Sequence, residues 1–275
     1  MKKLFIPFFT ILFASCAVTT NYYQVYKANS DNGTLANDKI VFEDKSCKVA
    51  YNLWADGGDI GFSIYNKTES DLTVDLTKTF FVLNGVAYEY FQNRTFSKSS
   101  SSGTALTTYN YPYYYYWYWN PAKVTGTNST SFSTSYIEKP QLTIPPKTQV
   151  NVSEYHVSNA RYVNCDLLKY PTRKTIKTVK FDKSNSPFVF YNLITYKSGG
   201  DSAKMENKFY VSEITNYPED NMFTEVDTSM CGRKLEVPEK IFKNVTPDKF
   251  YYHYTNEKYP SAKARPLKVN KIDYY

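Results

Sequence analysis

The chain has 275 residues and a formal net charge of +7, and its 28 tyrosines, 18 phenylalanines and three tryptophans make aromatics 18% of it. So mild a charge makes nucleic acid a poor partner, and four cysteines are too few for a disulfide-built scaffold. Abundant tyrosine and phenylalanine, modest glycine and no long alanine-rich segment favour strands over helices.

Lys2 and Lys3 precede an apolar run from Leu4 to Ala14, which is too short to cross a bilayer. A cationic start before such a run predicts a signal peptide over residues 1–15. Its end, Phe13-Ala14-Ser15-Cys16, resembles the lipobox of bacterial lipoproteins. There the cysteine takes a diacylglyceryl group and becomes the new N-terminus, which implies lipidation at Cys16 and attachment to a membrane through that lipid. Several acyl chains hold a protein durably where one holds it marginally. No later stretch reaches 18 consecutive apolar residues, so the lipid would be the sole anchor. Setting Lys2 and Lys3 aside lowers the net charge from +7 to +5. Cys47, Cys165 and Cys231 then remain, allowing one bridge in any of three pairings, and the absence of C-x-x-C argues against a redox or zinc motif.

Residues 17–37 are polar, contain Asn32-Gly33 and show no clear period apart from Tyr22, Tyr23, Val25 and Tyr26. With Cys16 they read as a lipidated N-terminus and tether over 16–38. The next fifty residues carry the clearest fold signal. Phe62 and Ile64 alternate with Ser63 and Tyr65, Asn66-Lys67-Thr68 breaks the run, and Leu72, Val74 and Leu76 alternate with Thr73, Asp75 and Thr77. Phe80 to Leu83, Asn84-Gly85, and Val86 to Phe91 predict a two-residue hairpin in which Leu83 faces Val86 and Phe81 faces Tyr88.

The stretches Gly61-Phe-Ser-Ile-Tyr-Asn-Lys-Thr, Leu72-Thr-Val-Asp-Leu and Phe80-Phe-Val-Leu-Asn-Gly-Val-Ala-Tyr resemble the core of a family of Bacteroidetes cell-envelope lipoproteins with an immunoglobulin-like β-sandwich. The resemblance extends to Tyr22-Tyr23-Gln24-Val25-Tyr26 and Ile144-Pro145-Pro146-Lys147, about half the chain. It implies a fold and an organism class and no activity. In some lipoproteins of this group acidic residues after the cysteine resemble a surface-export signal. None follow Cys16, which favours the periplasmic face of the outer membrane over the cell surface.

From Ser97 to Ser135 the chain turns to Ser, Thr and Tyr, an insertion between strands over 97–135. Within it, Tyr109, Tyr111, Tyr113, Tyr114, Tyr115, Tyr116, Trp117, Tyr118 and Trp119 leave only Asn110 and Pro112 non-aromatic. Such rings can cover a sandwich, anchor a protein interface, stack on sugars or sit at a membrane surface. Strand signals return at Leu142–Ile144, Val150–Val152, Thr175–Phe181, Phe188–Tyr196 and Phe209–Ile214, with a short helix expected near Tyr155–Lys169. Four prolines between Val237 and Tyr275 forbid one long helix there, and Phe250–Tyr254 reads as a strand. The expectation is an all-β, immunoglobulin-like antiparallel β-sandwich over 39–231, with a C-terminal extension over 232–275 packed on it.

No catalytic constellation emerges. His156 and His253 lie in neither an H-E-x-x-H motif nor beside a nucleophile elbow, and Asp56-Gly57-Gly58-Asp59 fails the EF-hand spacing and reads as a turn. No metal ligand set and no cofactor are assigned. Lys169, Arg173, Lys174, Lys177, Lys180 and Lys183 form a basic patch, read as a solvated edge that resists strand pairing or as a site for envelope phosphates. Asp201-Ser202-Ala203 resembles a Bacteroidetes O-glycosylation sequence, with Ser202 as acceptor in a loop. Five N-x-S/T sites at Asn66, Asn93, Asn128, Asn151 and Asn244 carry little meaning in a bacterium. The functional expectation is a non-catalytic binding or assembly module that meets a protein or glycan partner through the aromatic run. A glycan-binding accessory protein and a hydrolase with two carboxylates assembled across strands are the competing readings.

Overall fold

The computed structural model describes residues 20–36, 38–102, 130–227, 229–230, 233–234 and 238–256, and its regular structure is almost wholly strand. First come β1 (Asn21–Ser30), β2 (Thr34–Ala36), β3 (Lys39–Glu43), β4 (Cys47–Tyr51) and β5 (Phe62–Asn66). β6 (Leu72–Asp75), a single 3-10 turn (Leu76–Lys78), β7 (Phe80–Leu83) and β8 (Val86–Glu89) follow. β9 (Thr95–Ser102) and β10 (Thr130–Ile137) precede β11 (Gln141–Ile144) and β12 (Gln149–Val152). A long loop leads to β13 (Thr178–Lys180), β14 (Val189–Ser198) and β15 (Asp201–Pro218). After α1 (Glu219–Met222) come β16 (Phe223–Val226), β17 (Ser229–Met230), β18 (Arg233–Lys234), β19 (Glu239–Phe242) and β20 (Lys249–Thr255).

Two antiparallel sheets carry the body. The larger runs β11-β6-β14-β15-β1-β20, with β7 and β8 continuing beside one half of β14 and β13 beside the end of β15. The smaller runs β12-β5-β4-β3-β2. Period two places Cys47, Val49 and Tyr51 of β4, and Phe62 and Ile64 of β5, on one buried face. Against them the larger sheet sets Tyr26, Phe190, Ile194, Phe209 and Phe250 in a single core. Rings meet across the interface, Phe209 lying 5.4 Å from Phe42 and 5.2 Å from Tyr51. The protein is thus an all-β sandwich, and each large apolar side chain withdrawn from water in it contributes roughly 1.5–3 kcal/mol.

The hairpin at Asn84-Gly85 forms as expected, with φ of 49° and 86° and with Phe81 opposite Tyr88 and Leu83 opposite Val86. Asn66-Lys67-Thr68 does turn the chain, but it carries it from one sheet to the other, since β5 and β6 belong to different sheets. Between β6 and β7 the 3-10 turn interrupts the ladder to β14. Thr79 repairs the gap: its Oγ1 accepts from the Thr195 backbone N–H (3.2 Å), and Thr195 Oγ1 donates to the Lys78 carbonyl (2.7 Å).

Three expectations change. Most of the segment read as a tether is strand β1, which lies inside the larger sheet between β15 and β20 and buries Gln24, Tyr26 and Ala28. Its inward glutamine hid the apolar alternation, and that glutamine is fully satisfied. Gln24 Nε2 donates to Asn216 Oδ1 (2.8 Å) and the Tyr162 carbonyl (3.0 Å), while Oε1 accepts from Tyr162 N–H (2.6 Å) and from the Tyr26 hydroxyl. Residues 155–169 form no helix; they are an irregular loop held down by Gln24 and by Asn216, whose Nδ2 donates to the Leu168 carbonyl (2.8 Å). The C-terminal part does more than pack on the sandwich, because β20 is a strand of the larger sheet, paired from Asn21↔Thr255 to Lys27↔Lys249.

Candidate functional site

Cys16, Cys231 and the aromatic residues Tyr111, Tyr113, Tyr114, Tyr115, Tyr116, Trp117, Tyr118 and Trp119 lie outside the described residues. What is described is the ribbon on either side of the aromatic stretch. β9 and β10 pair antiparallel from Thr95↔Ile137 to Ser102↔Thr130, so residues 103–129 connect two strands in register.

An ion cluster holds the foot of this ribbon. Arg94 Nη2 reaches Glu138 Oε1 (2.6 Å) and Glu154 Oε2 (3.0 Å), and Nη1 pairs with Glu154 Oε1. Glu138 Oε2 accepts the backbone N–H of Gln92 (3.0 Å) and of Arg94 (3.1 Å), and the Glu138 N–H donates to the Arg94 carbonyl (2.8 Å). Burial opposes ionisation of Glu138, whose side chain is only 9% exposed. The hydrogen bonds from Arg94 and from the two backbone N–H groups outweigh it and hold the carboxyl below the usual range. Below the cluster Tyr155 packs against Phe81 and Tyr90, its hydroxyl donating to the Glu89 carbonyl and accepting from Gln92 Nε2.

The basic patch is not one strand face. Only Lys180 lies in β13; Lys169, Arg173, Lys174 and Lys177 belong to the loop before it and Lys183 to the loop after it, all exposed. Arg173 pairs with Asp220 (3.1 Å), Lys180 with Glu213 (3.8 Å) and Lys183 with Asp31 (2.6 Å), while Lys169 lies over the Tyr170 ring. Half of the patch is thereby tied to acids on other elements. Ser202 is exposed but sits in β15, opposite Lys197; the hairpin turn is confined to Gly199-Gly200. Cys47 and Cys165 are both free, the first buried and the second exposed. Burial, reinforced by the nearby Asp44 charge, pushes the Cys47 thiol up to about 12, so it acts as an inert core group.

The structure adds a site that the sequence reading missed, on the outer face of the larger sheet. Tyr23, Tyr251 and His253 face outward and are covered by Trp54 and by the ribbon of β16 and β19, whose Phe223 and Phe242 rings lie 4.3 Å apart. Asp56-Gly57-Gly58-Asp59 is the turn expected, and it clasps β20: Gly57 N–H donates to the Tyr251 carbonyl (2.7 Å), and Asp56 Oδ1 accepts from His253 N–H (3.2 Å). Gly58 has φ of 78°, and a Cβ there would lie 2.7 Å from the Phe250 ring. His156 is exposed beside this turn.

Next to the aromatic layer a groove of about 300 Å³ opens, floored by Val25 and Thr215, flanked by Trp54 and Tyr217, and edged by Lys27, Lys243 and Lys249. Its residues come from strands as far apart in sequence as β1 and β20, so only strand register could have revealed it. A second depression holds Glu219, Asp220 and Glu225 beside Arg173, Lys240 and Lys243. Hydrogen bonds from Asn21 and Lys240 hold the Glu219 carboxyl below its usual range, the opposite of what a general acid needs. Compared with family models, curated proteins and solved structures, the chain matches none.

Proposed function

We propose that the chain is a non-catalytic binding or assembly module of the bacterial cell envelope. It is held on the periplasmic face of the outer membrane by a lipid on Cys16 and engages a protein partner through the aromatic run at 109–119. The immunoglobulin-like subtype of the sandwich belongs to the same reading. One observation carries it: the Arg94–Glu138–Glu154 cluster braces the foot of a two-stranded ribbon that leads to and from the aromatic segment. A presenting arm gains from such bracing, because a base already fixed loses less entropy on binding. Carboxylates tied to cations, as Glu219 and Asp220 are, support binding over hydrolysis.

The experiment combines two variants in the native host. Cys16→Ser should abolish incorporation of radiolabelled palmitate and release the protein from the membrane fraction. Alanine at Tyr113 through Trp119 should abolish crosslinked partner capture while leaving the thermal midpoint unchanged. Unlabelled wild-type protein would refute the anchor, and undiminished capture would remove the aromatic run from the mechanism.

A further inference from the structure

On the outer face of the larger sheet one charged rung crosses four strands, with Lys180, Glu213, Lys27 and Lys249 side by side on β13, β15, β1 and β20. Lys27 and Lys249 stand directly opposite each other and are half-buried, an arrangement in which like charges repel. Glu213 pairs with Lys180, and among the described residues neither Lys27 nor Lys249 forms an ion pair. Lys243 is a third cation in the groove lining, its ammonium donating to the Asp220 carbonyl (3.4 Å). Glu213, opposite Lys27, also lines the groove, so the rung holds three lysines to one carboxylate, and a sheet that sets Lys27 and Lys249 opposite each other gives up stability for it. The groove beside them is too large for a bare inorganic anion and is polar rather than greasy, with Thr178, Tyr217 and Asn244 along it and the Trp54 ring at one side.

We propose that this groove binds an anionic sugar, its phosphate or carboxylate seated between Lys27 and Lys249 and its hydroxylated ring lying along the polar wall. The two lysine ammonium groups supply charge-assisted hydrogen bonds to the anion, and its charge relieves their mutual repulsion. Threonine, asparagine and tyrosine side chains suit hydroxyls, and aromatic rings suit the flat face of a sugar. Its described lining includes no residue of the aromatic run at 109–119.

Isothermal titration calorimetry on the purified full chain in detergent tests it, with glucose 6-phosphate, glucuronic acid, glucose and inorganic phosphate as separate titrants. The expected result is saturable binding of at least one acidic sugar, at least tenfold tighter than glucose or phosphate and weakened by added salt. Lys27→Gln and Lys249→Gln should each weaken it about tenfold or more. Because these variants remove a repulsion, their thermal midpoints should equal or exceed that of the wild type, so lost binding cannot be put down to unfolding. Absence of saturation with both acidic sugars, equal binding of glucose or phosphate, or unchanged affinity in both variants would overturn the proposal.

Discussion

Asn66 lies at the end of β5 with no exposed surface and ties together three stretches of chain. Its Nδ2 donates to the carbonyls of Ser70 (2.7 Å), Ile144 (2.9 Å) and Pro145 (3.2 Å), while Oδ1 accepts from the Thr68 N–H (2.9 Å) and hydroxyl (2.7 Å). The crossing from the smaller sheet to the larger passes through this one amide, so Asn66-Lys67-Thr68, which matches a glycosylation pattern, is a buried fastening instead. Asn66→Ala would take from the Ile144 carbonyl its amide donor and from the Thr68 N–H its acceptor, at about 1–3 kcal/mol apiece, while the Ser70 and Pro145 carbonyls keep donors in Thr68 and Thr148, so the net loss should be about 2–4 kcal/mol. Urea unfolding should show a lower midpoint at unchanged slope; an unaltered midpoint would mean that these groups find other partners. Gln24 and Asn192 show the same habit of spending inward positions on amides. Asn192 donates to the Ile60 carbonyl (2.9 Å) and accepts from the Tyr90 hydroxyl (3.0 Å) in the middle of the core.

Those inward amides explain which elements the sequence disclosed. β5 and β6 keep Phe62, Ile64, Leu72 and Val74 inward at alternate positions, and they and the β7–β8 hairpin form where the alternation and Asn84-Gly85 put them. β15 was legible only at Phe209–Ile214; its first half, Asp201 to Lys208, is polar enough to pass for a loop, yet it pairs residue by residue with β14. β1 was hidden by Gln24, and the groove by the absence of any local signal that Lys27 and Lys249 are neighbours. The ribbon of β9 and β10 was readable only as an insertion, because its brace draws on Arg94, Glu138 and Glu154, which no local pattern links. The brace predicts a pH dependence. Glu138 is held below its ordinary pKa, so its contribution is complete above the unfolded value near 4.3–4.5 and disappears as pH falls through the lower folded value. Nuclear magnetic resonance from pH 7 downward should show the Gln92 and Arg94 amide signals moving together only below about pH 4.5. Glu138→Gln should remove that transition and destabilise the foot of the ribbon by about 1–3 kcal/mol, the worth of a hydrogen bond to a charged group. Amides that titrate unchanged in the variant would show that another carboxylate governs them.

At the scale of the whole molecule the two ends of the described chain close the sheet on each other. Asn21 pairs with Thr255, the Thr20 N–H donates to Asn256 Oδ1 (2.9 Å), and the Asn256 N–H returns to the Thr20 carbonyl (3.2 Å). Contacts this distant in sequence must wait for most of the chain, which predicts slow folding dominated by β1 joining β15 and β20. It also bears on the proposed anchor. Four residue steps lead from Cys16 to Thr20, a reach of roughly 14 Å at most, so an acylated Cys16 would hold the sandwich against the membrane surface rather than at the end of a long leash. The same closure decides where the chain can be cut. A version that starts at Lys39, the boundary expected from the sequence, lacks β1 and with it Gln24, Tyr26 and Ala28 from the core. It leaves an open edge on β15 and detaches β20, whose ladder partner in the sheet is β1. That version should be insoluble or aggregate on refolding, whereas one that starts at Ala17 should unfold cooperatively at the midpoint of the unlipidated full chain. Circular dichroism melts of the two, run side by side, give the answer. A stable, cooperative protein beginning at Lys39 would show that β1 is dispensable and that the larger sheet holds together without the strand that joins β20 to β15.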